Sequence, residues 1–289
     1  MDRIYQVAGH RFRVAGELLC GAVEKIEGFK PFMVDEDDDI LFSFVEGADV
    51  PEMKTAQYEF VYEDVIGTFG RTDNGLMLIL KPVGEEAFYL WHTDDEDTVQ
   101  MQGNWSMRLY RFALWVGYGL MVLPLGTVAI HSSCIVYKDK ATLFLGESGT
   151  GKSTHTRLWR EYIDGAILLN DDSPILRVED GQIWAYGSPW SGKTPCYKQE
   201  RYELIGCVRL TQAPYNQMKK LMVLQAYGAI HPSCPPEFAY DGKLYDYVSE
   251  FIDKLITNVS FYHLACLPNR EAAELSWNTL FNQLSIQQG

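Results

Sequence analysis

No two of the six cysteines (Cys20, Cys134, Cys196, Cys207, Cys234 and Cys266) stand at CxxC spacing. That speaks against a zinc or redox motif and for reduced thiols in a cytoplasmic protein. Positive charge is scarce: 25 Lys and Arg face 39 Asp and Glu, a formal net charge of −14. A duplex-binding surface needs clustered Lys and Arg against the phosphates, so no nucleic-acid partner is expected. The opening residues MDRIYQVAGHRFRV contain no apolar h-region, so no signal peptide is expected. There is no internal repeat and no low-complexity tract. What is present suffices for a folded core. Hydrophobic residues make up 47% of the 289 positions and aromatics 13%, whereas a disordered chain has few aromatics. The length suits one large domain or two modest ones, with small molecules and proteins as partners.

One long uncharged run exists, residues 112–130, FALWVGYGLMVLPLGTVAI. Its 19 positions reach the length of a membrane span. Three glycines and Pro124 within it suit a helix end, a turn and a following strand. A buried helix followed by a core strand is therefore expected, with no membrane partner.

Residues 1–104 read as a β-rich domain. Apolar runs such as Tyr58 to Tyr62 and Leu76 to Leu80 lie between turn signals, and Asn74-Gly75 marks a hairpin. Two acidic runs, Asp35 to Asp39 and Asp94 to Asp97, read either as a cation site or as solvated turns. Metal loops need spaced ligands and a Gly turn rather than a solid run, which favours the turns. From 105 to 289 helices and strands alternate. Helices are expected over Trp105 to Leu123 and Ser153 to Tyr162. Strands are expected over Val128 to Val136, Ala141 to Leu145, Ala166 to Asn170 and Cys207 to Leu210. Asp180-Gly181 turns a hairpin between Ile175–Val178 and Ile183–Tyr186. Val248, Phe251, Ile252, Leu255, Ile256 and Val259 recur at helical spacing.

The central motif is Gly146, Glu147, Ser148, Gly149, Thr150, Gly151, Lys152 and Ser153, followed by Thr154. It matches G-x-x-x-x-G-K-[ST] at every fixed position, between an apolar strand and a helix-compatible run. Glycines let the backbone curl around a phosphate, where a side chain would block it. The helix beginning near Lys152 adds its positive dipole end. In such a loop Lys152 reaches the terminal phosphates and the Ser153 hydroxyl ligates Mg²⁺. A nucleoside triphosphate, ATP, with Mg²⁺ is the expected cofactor pair. Asp171 and Asp172 end the strand after the helix, only 19 and 20 residues beyond Lys152. So short a connection returns the chain to the sheet beside the loop's own strand. Neighbouring strand residues point opposite ways, so one carboxylate can face a metal and the other an acceptor. His131, at the start of the preceding strand, is either a core histidine or a site residue. No N-K-x-D or L-S-G-G-Q motif is present, which removes GTPase and transporter readings.

The order His131-Ser-Ser-Cys-Ile-Val, Gly146 to Thr154 and Leu168-Leu-Asn-Asp-Asp172 resembles the catalytic domain of HPr kinase/phosphorylase. The loop is also similar to that of ATP-type phosphoenolpyruvate carboxykinase, whose domain shares that fold. The resemblance covers about residues 127–175 and, more loosely, everything after 105. It implies an α/β P-loop domain with a mixed sheet. It implies a kinase that transfers the γ-phosphoryl group of ATP to a hydroxyl, a serine of a peptide or protein. It implies that Asp171 is the base, that Asp172 belongs to the metal shell with Ser153, and that His131 sits by the phosphates. The family's late arginine-containing loop is missing. Ser188-Pro-Trp190-Ser-Gly-Lys193 occupies that region, either as a substrate clamp or as a loop with a packed Trp. Arg157, Arg160, Lys198 and Arg201 are candidate charge stabilisers or solvated residues. A carboxykinase-like small-molecule phosphotransferase and a nucleotide-binding module without chemistry are the alternatives. A homo-oligomeric state is left open.

Overall fold

The structure is a computed structural model that describes residues 2–103, 106–192 and 194–287. Trp105 and Lys193 lie outside the described residues. By packing the chain divides into two units: Met1–Leu125 with Glu237–Tyr247, and Gly126–Pro236 with Val248–Gly289. The change in sequence texture falls before the helix near 105; the boundary in packing falls after it.

The first unit contains β1 (Asp2–Val7), β2 (His10–Ala15), α1 (Glu17–Val23), β3 (Met33–Val34), β4 (Ile40–Glu46), β5 (Thr55–Tyr62), β6 (Val65–Arg71), β7 (Gly75–Pro82), β8 (Phe88–Thr93), β9 (Thr98–Gln102) and α2 (Met107–Val122). Its strands form one sheet in the order β3-β1-β2-β4-β9-β8-β7-β6-β5. All neighbours are antiparallel except β2 with β4 and β4 with β9. Alternation along β2 and β4 sends Phe12, Phe42 and Phe44 into the core, where Phe12 stacks on Phe42 at 5.3 Å. The acidic runs at 35–39 and 94–97 are exposed. The hairpin expected at Asn74-Gly75 joins β6 to β7. Gly75 itself is already strand, and a Cβ there would stand 2.0 Å from the His92 carbonyl oxygen. Close approach, rather than turn conformation, requires that glycine.

Helix α2 realises the expected buried helix, but Gly117 and Gly119 lie inside it rather than at its end. A Cβ on Gly117 would meet Phe44 at 2.6 Å, and one on Gly119 would meet Phe238 at 3.0 Å. Pro124, in a short 3-10 turn (Leu123–Leu125), and Gly126 (φ 67°) follow the end of α2. No helix among the described residues is long and apolar enough to cross a membrane.

Residues 237–247 return to the first unit through Asp241. Its buried carboxylate accepts hydrogen bonds from Arg71 Nε (2.6 Å) and Nη2 (3.1 Å) and from Gln57 (3.1 Å). Nearby in sequence, Glu237 is 2% exposed, and its Oε2 has no hydrogen-bond partner among the described residues. Burial raises its carboxyl from the ordinary range to about 7. A raised carboxyl favours the fold fully below the unfolded value, and that contribution is lost as pH rises through about 7. Glu237→Gln is therefore expected to be more stable than wild type at about pH 8, by on the order of 3 kcal/mol. The advantage should vanish near pH 4. Denaturation midpoints of both proteins across that range check this. Parallel pH profiles would show that Glu237 ionises freely.

The second unit contains β10 (Thr127–Ala129), β11 (Ser132–Tyr137), β12 (Lys140–Leu145), α3 (Lys152–Tyr162), β13 (Ile167–Asp172), β14 (Ile175–Glu179), β15 (Gln182–Tyr186), β16 (Arg201–Gln212), β17 (Gln217–Lys220), α4 (Val223–Ile230), α5 (Gly242–Asn258, in this unit from Val248), β18 (Ser260–Cys266) and α6 (Arg270–Gln287). Its mixed sheet runs β10-β14-β15-β16-β12-β11-β13, with β18 beside β16 and β17. The hairpin at Asp180-Gly181 has both residues at positive φ, 49° and 78°, as a type I′ turn requires. Val248, Phe251, Ile252 and Leu255 on α5 are buried, as their spacing predicts. Trp159 of α3 is fully buried among Phe144, Leu158, Val208 and Leu264, and its Nε1 donates to Ser276 Oγ at 2.9 Å.

The expected strand over 128–136 is broken at Ile130-His131 into β10 and β11. The carboxylate strand also differs from expectation. β13 does not lie beside β12, because β11 occupies that place. The cause is the two-residue turn Lys138-Asp139, both at positive φ (47° and 56°), which folds β11 tightly onto β12. β13 then adds antiparallel to β11.

Candidate active site around the loop between β12 and α3

Three strands bring the candidate residues to one sheet end. Leu145, the last residue of β12, pairs with Ser132, and Ser132 pairs with Asp172 on β13. Ser133 pairs with Asp171 in the next position. The carboxylates therefore stand level with the start of the glycine loop, although β11 lies between.

The loop connects β12 directly to α3, whose first residue is Lys152. Gly146, Gly149 and Gly151 have φ of 143°, 82° and 105°, conformations that L side chains rarely adopt. A Cβ on Gly149 or Gly151 would meet nothing within 4 Å, so open space borders the loop there. Glu147 and Ser148 are exposed, and Thr150 Oγ1 donates to the Glu147 carbonyl at 2.8 Å. Gly151 caps α3 without a side-chain hydrogen bond, so the first helical amides are not satisfied by a side-chain cap. Ser153 is exposed on that first turn and Thr154 half-buried.

Lys152 is nearly buried, and its Nζ donates to the carbonyls of Gly146 (2.6 Å) and Glu147 (3.2 Å). The same Nζ lies 3.1 Å from His131 Nε2. Burial pushes the ammonium down from its ordinary value, against the pull of Asp172 and Asp171. His131 Nδ1 stands 3.4 Å from Asp172 Oδ1. With Lys152 donating to Nε2 and Asp172 accepting from Nδ1, the contacts fit the imidazole tautomer that carries its proton on Nδ1. His131 is thus a member of a Lys152–His131–Asp172 chain and not a core histidine.

The two carboxylates differ in exposure. Asp172 is 36% exposed at its side chain. Asp171 is 4% exposed; its Oδ1 accepts from Ser133 Oγ at 2.6 Å, and its Oδ2 is buried without a partner among the described residues. Asn170, fully buried, accepts from the amides of Asp172 (3.0 Å) and Ser173 (2.9 Å) and so turns the chain at the strand's end. Its amide group donates to Ser188 Oγ and the Trp190 carbonyl, both at 3.1 Å. Trp190 is 3% exposed, so the loop from Ser188 carries a packed Trp and not an exposed one. Gly192 N donates to the Asp171 carbonyl at 3.1 Å, and a Cβ on Gly192 would stand 2.5 Å from that oxygen. Sequence reasoning missed Ser133 and Asn170, and it placed Gly192 in a possible clamp without foreseeing its contact with the Asp171 carbonyl. Asn immediately before the Asp pair was the available signal for the turn.

Of the candidate charge stabilisers, Arg157 pairs with Glu161 and Arg201 with Glu179, Arg160 is exposed and Lys198 is half-buried. Among the described residues no three His, Cys, Asp or Glu side chains gather as a ready metal cluster.

No family profile matches the chain, and no curated protein matches it. Among solved structures it is similar to the Hpr(Ser) kinase/phosphatase from Coxiella burnetii. The identity is 15% and the TM-score 0.32, over 55% of this chain and 92% of that one.

Proposed function

We propose that the second unit binds ATP with Mg²⁺ in the 146–154 loop and transfers the terminal phosphoryl group to a hydroxyl, a serine of a peptide or protein. The observation that carries this reading is the register line Leu145–Ser132–Asp172. It sets two carboxylates, His131 and Lys152 at the mouth of one glycine loop.

The residues present fit the groups. The open space at Gly149 and Gly151 is where a phosphate chain would meet main-chain amides rather than side chains. Mg²⁺ is commonly held by one or two carboxylates plus substrate phosphates, so the lack of a larger cluster is no obstacle. Ser153 on the first turn and the unpartnered Asp171 Oδ2 are the oxygens assigned to it. Bound there, Mg²⁺ would neutralise charge on the phosphates.

The chain's own residues divide the remaining work. Lys152 and the first amides of α3 hold negative charge on the transferring group. Asp172, half-exposed, takes the proton of the attacking hydroxyl, and His131 orients it from 3.4 Å. Asp171 is nearly buried and its Oδ2 has no partner among the described residues, and it is assigned to the metal side. This is the reverse of the order implied by the HPr kinase resemblance, and exposure is the ground for it.

The acceptor is found by incubating the protein with γ-³²P-ATP, Mg²⁺ and a serine-containing peptide library. Label on serine, lost in the Lys152→Ala variant, is the expected result. Nucleotide binding with no labelled acceptor of any class would favour the non-catalytic reading.

A further inference from the structure

The loop has two flanks. β11 and β13, with the carboxylates, lie on one side of β12. On the other side lie β16 and β18, both parallel to β12 in direction. Ligands of open α/β sheets sit beyond the carboxyl ends of such strands. A cavity of about 590 Å³ opens there, within the size range of small-molecule sites. Its inner rim is the loop itself, Gly149 to Gly151, and its walls include Thr154, Leu158, Leu210, Gln212, Cys266 and Leu267.

The chemistry of the cavity is selective. Among the described residues no Asp, Glu, Lys or Arg lines it. A second phosphate group would find no cation there. His155, at its base, is 3% exposed and bonded to Ser276 Oγ at 3.0 Å; burial lowers it to about 4, so it is neutral at physiological pH. Apolar walls and neutral polar groups suit a flat heteroaromatic ring. Guanine presents a pair of donors best matched by a carboxylate, which is missing. The rim is also held in place beforehand. Leu267 N donates to Asn216 Oδ1 (2.8 Å), Asn216 Nδ2 to Asn269 Oδ1 (3.0 Å), and Ala272 N to the same oxygen (3.1 Å). Gln212 Nε2 ties the far wall to the Gly149 carbonyl at 3.1 Å.

We infer that this cavity receives the nucleobase of the bound triphosphate and prefers adenine to guanine. The inference rests on the nucleotide reading of the loop and adds the base, its flank and its type. The base sits on the β16–β18 flank, the phosphates cross Gly149 to Gly151, and the terminal phosphoryl group ends at Lys152, facing Asp172.

The test is calorimetric titration of Mg-ATP, Mg-GTP and Mg-tripolyphosphate into wild type, into Ala213→Trp, a substitution at a further wall residue that fills the cavity, and into Leu267→Asp, which charges it. Wild type should bind ATP at least about tenfold more tightly than GTP or tripolyphosphate. Both variants should bind ATP no better than tripolyphosphate while keeping the wild-type affinity for tripolyphosphate. Equal affinity of wild type for ATP and tripolyphosphate, or unchanged ATP affinity in both variants, would overturn the base pocket and leave the phosphate cradle standing. Equal affinity for ATP and GTP would overturn the preference for adenine. Absence of binding by ATP and tripolyphosphate alike would remove the nucleotide reading and this inference with it.

Discussion

Lys152→Ala should abolish the stabilisation that Mg-ATP confers on the protein. Lys152 Nζ is buried at the loop's mouth and shares the Gly146 carbonyl, the Glu147 carbonyl and His131. A bound phosphate offers stronger, charge-assisted hydrogen bonds than those neutral partners. Alanine removes the charge and leaves the carbonyl oxygens without that donor. At a nucleotide concentration of 100 times the dissociation constant, wild type should gain about 2.7 kcal/mol. The variant should gain nothing measurable. Thermal melts with and without Mg-ATP check this, and equal shifts in both proteins would mean that nucleotide binds elsewhere.

The second large effect separates the two aspartates. Asp172→Asn keeps the size of the side chain but cannot take a proton. Loss of a general base typically lowers the rate 10²–10⁴-fold. Mg-ATP affinity should change little, because the proton moves only in the transition state. Asp171→Asn should instead weaken Mg²⁺-dependent binding, since a metal ligand already acts in the ground state. The Ser133 bond can survive that change, because asparagine retains one acceptor oxygen. Single-turnover transfer and calorimetry on both variants distinguish the roles. If Asp171→Asn loses transfer but binds normally, and Asp172→Asn loses binding, the order implied by the HPr kinase resemblance is right and exposure misled. Wild-type behaviour of both variants would reduce the pair to a turn.

Much of this site was legible because its signals are local. The fixed positions from Gly146 to Ser153 predict a strand, a loop and a helix, and β12 and α3 meet on either side of it. The alternation in 175–186 and the Asp180-Gly181 turn are local in the same way. Strand order is not local. Nothing in the periodicity says that Lys138 and Asp139 adopt positive φ, so the tight β11–β12 hairpin was not foreseen. With that place filled, β13 adds to the free edge of β11. The allegiance of 237–247 was hidden for a similar reason: it depends on Asp241 reaching Arg71 and Gln57, far away in sequence. Gly117, Gly119 and Gly192 look like turn or break signals in one dimension. In three dimensions each makes room for a neighbour, Phe44, Phe238 or the Asp171 carbonyl. The different exposure of Asp171 and Asp172 also needed the fold, because alternation says that the two diverge but not which one is covered.

The most direct measurement of the proposed nucleotide binding is calorimetric titration of Mg-ATP into wild type and Lys152→Ala, side by side under one set of conditions. One saturable site in wild type and none in the variant is the predicted result. No binding to wild type, or the same binding in both proteins, would contradict the nucleotide reading of the 146–154 loop.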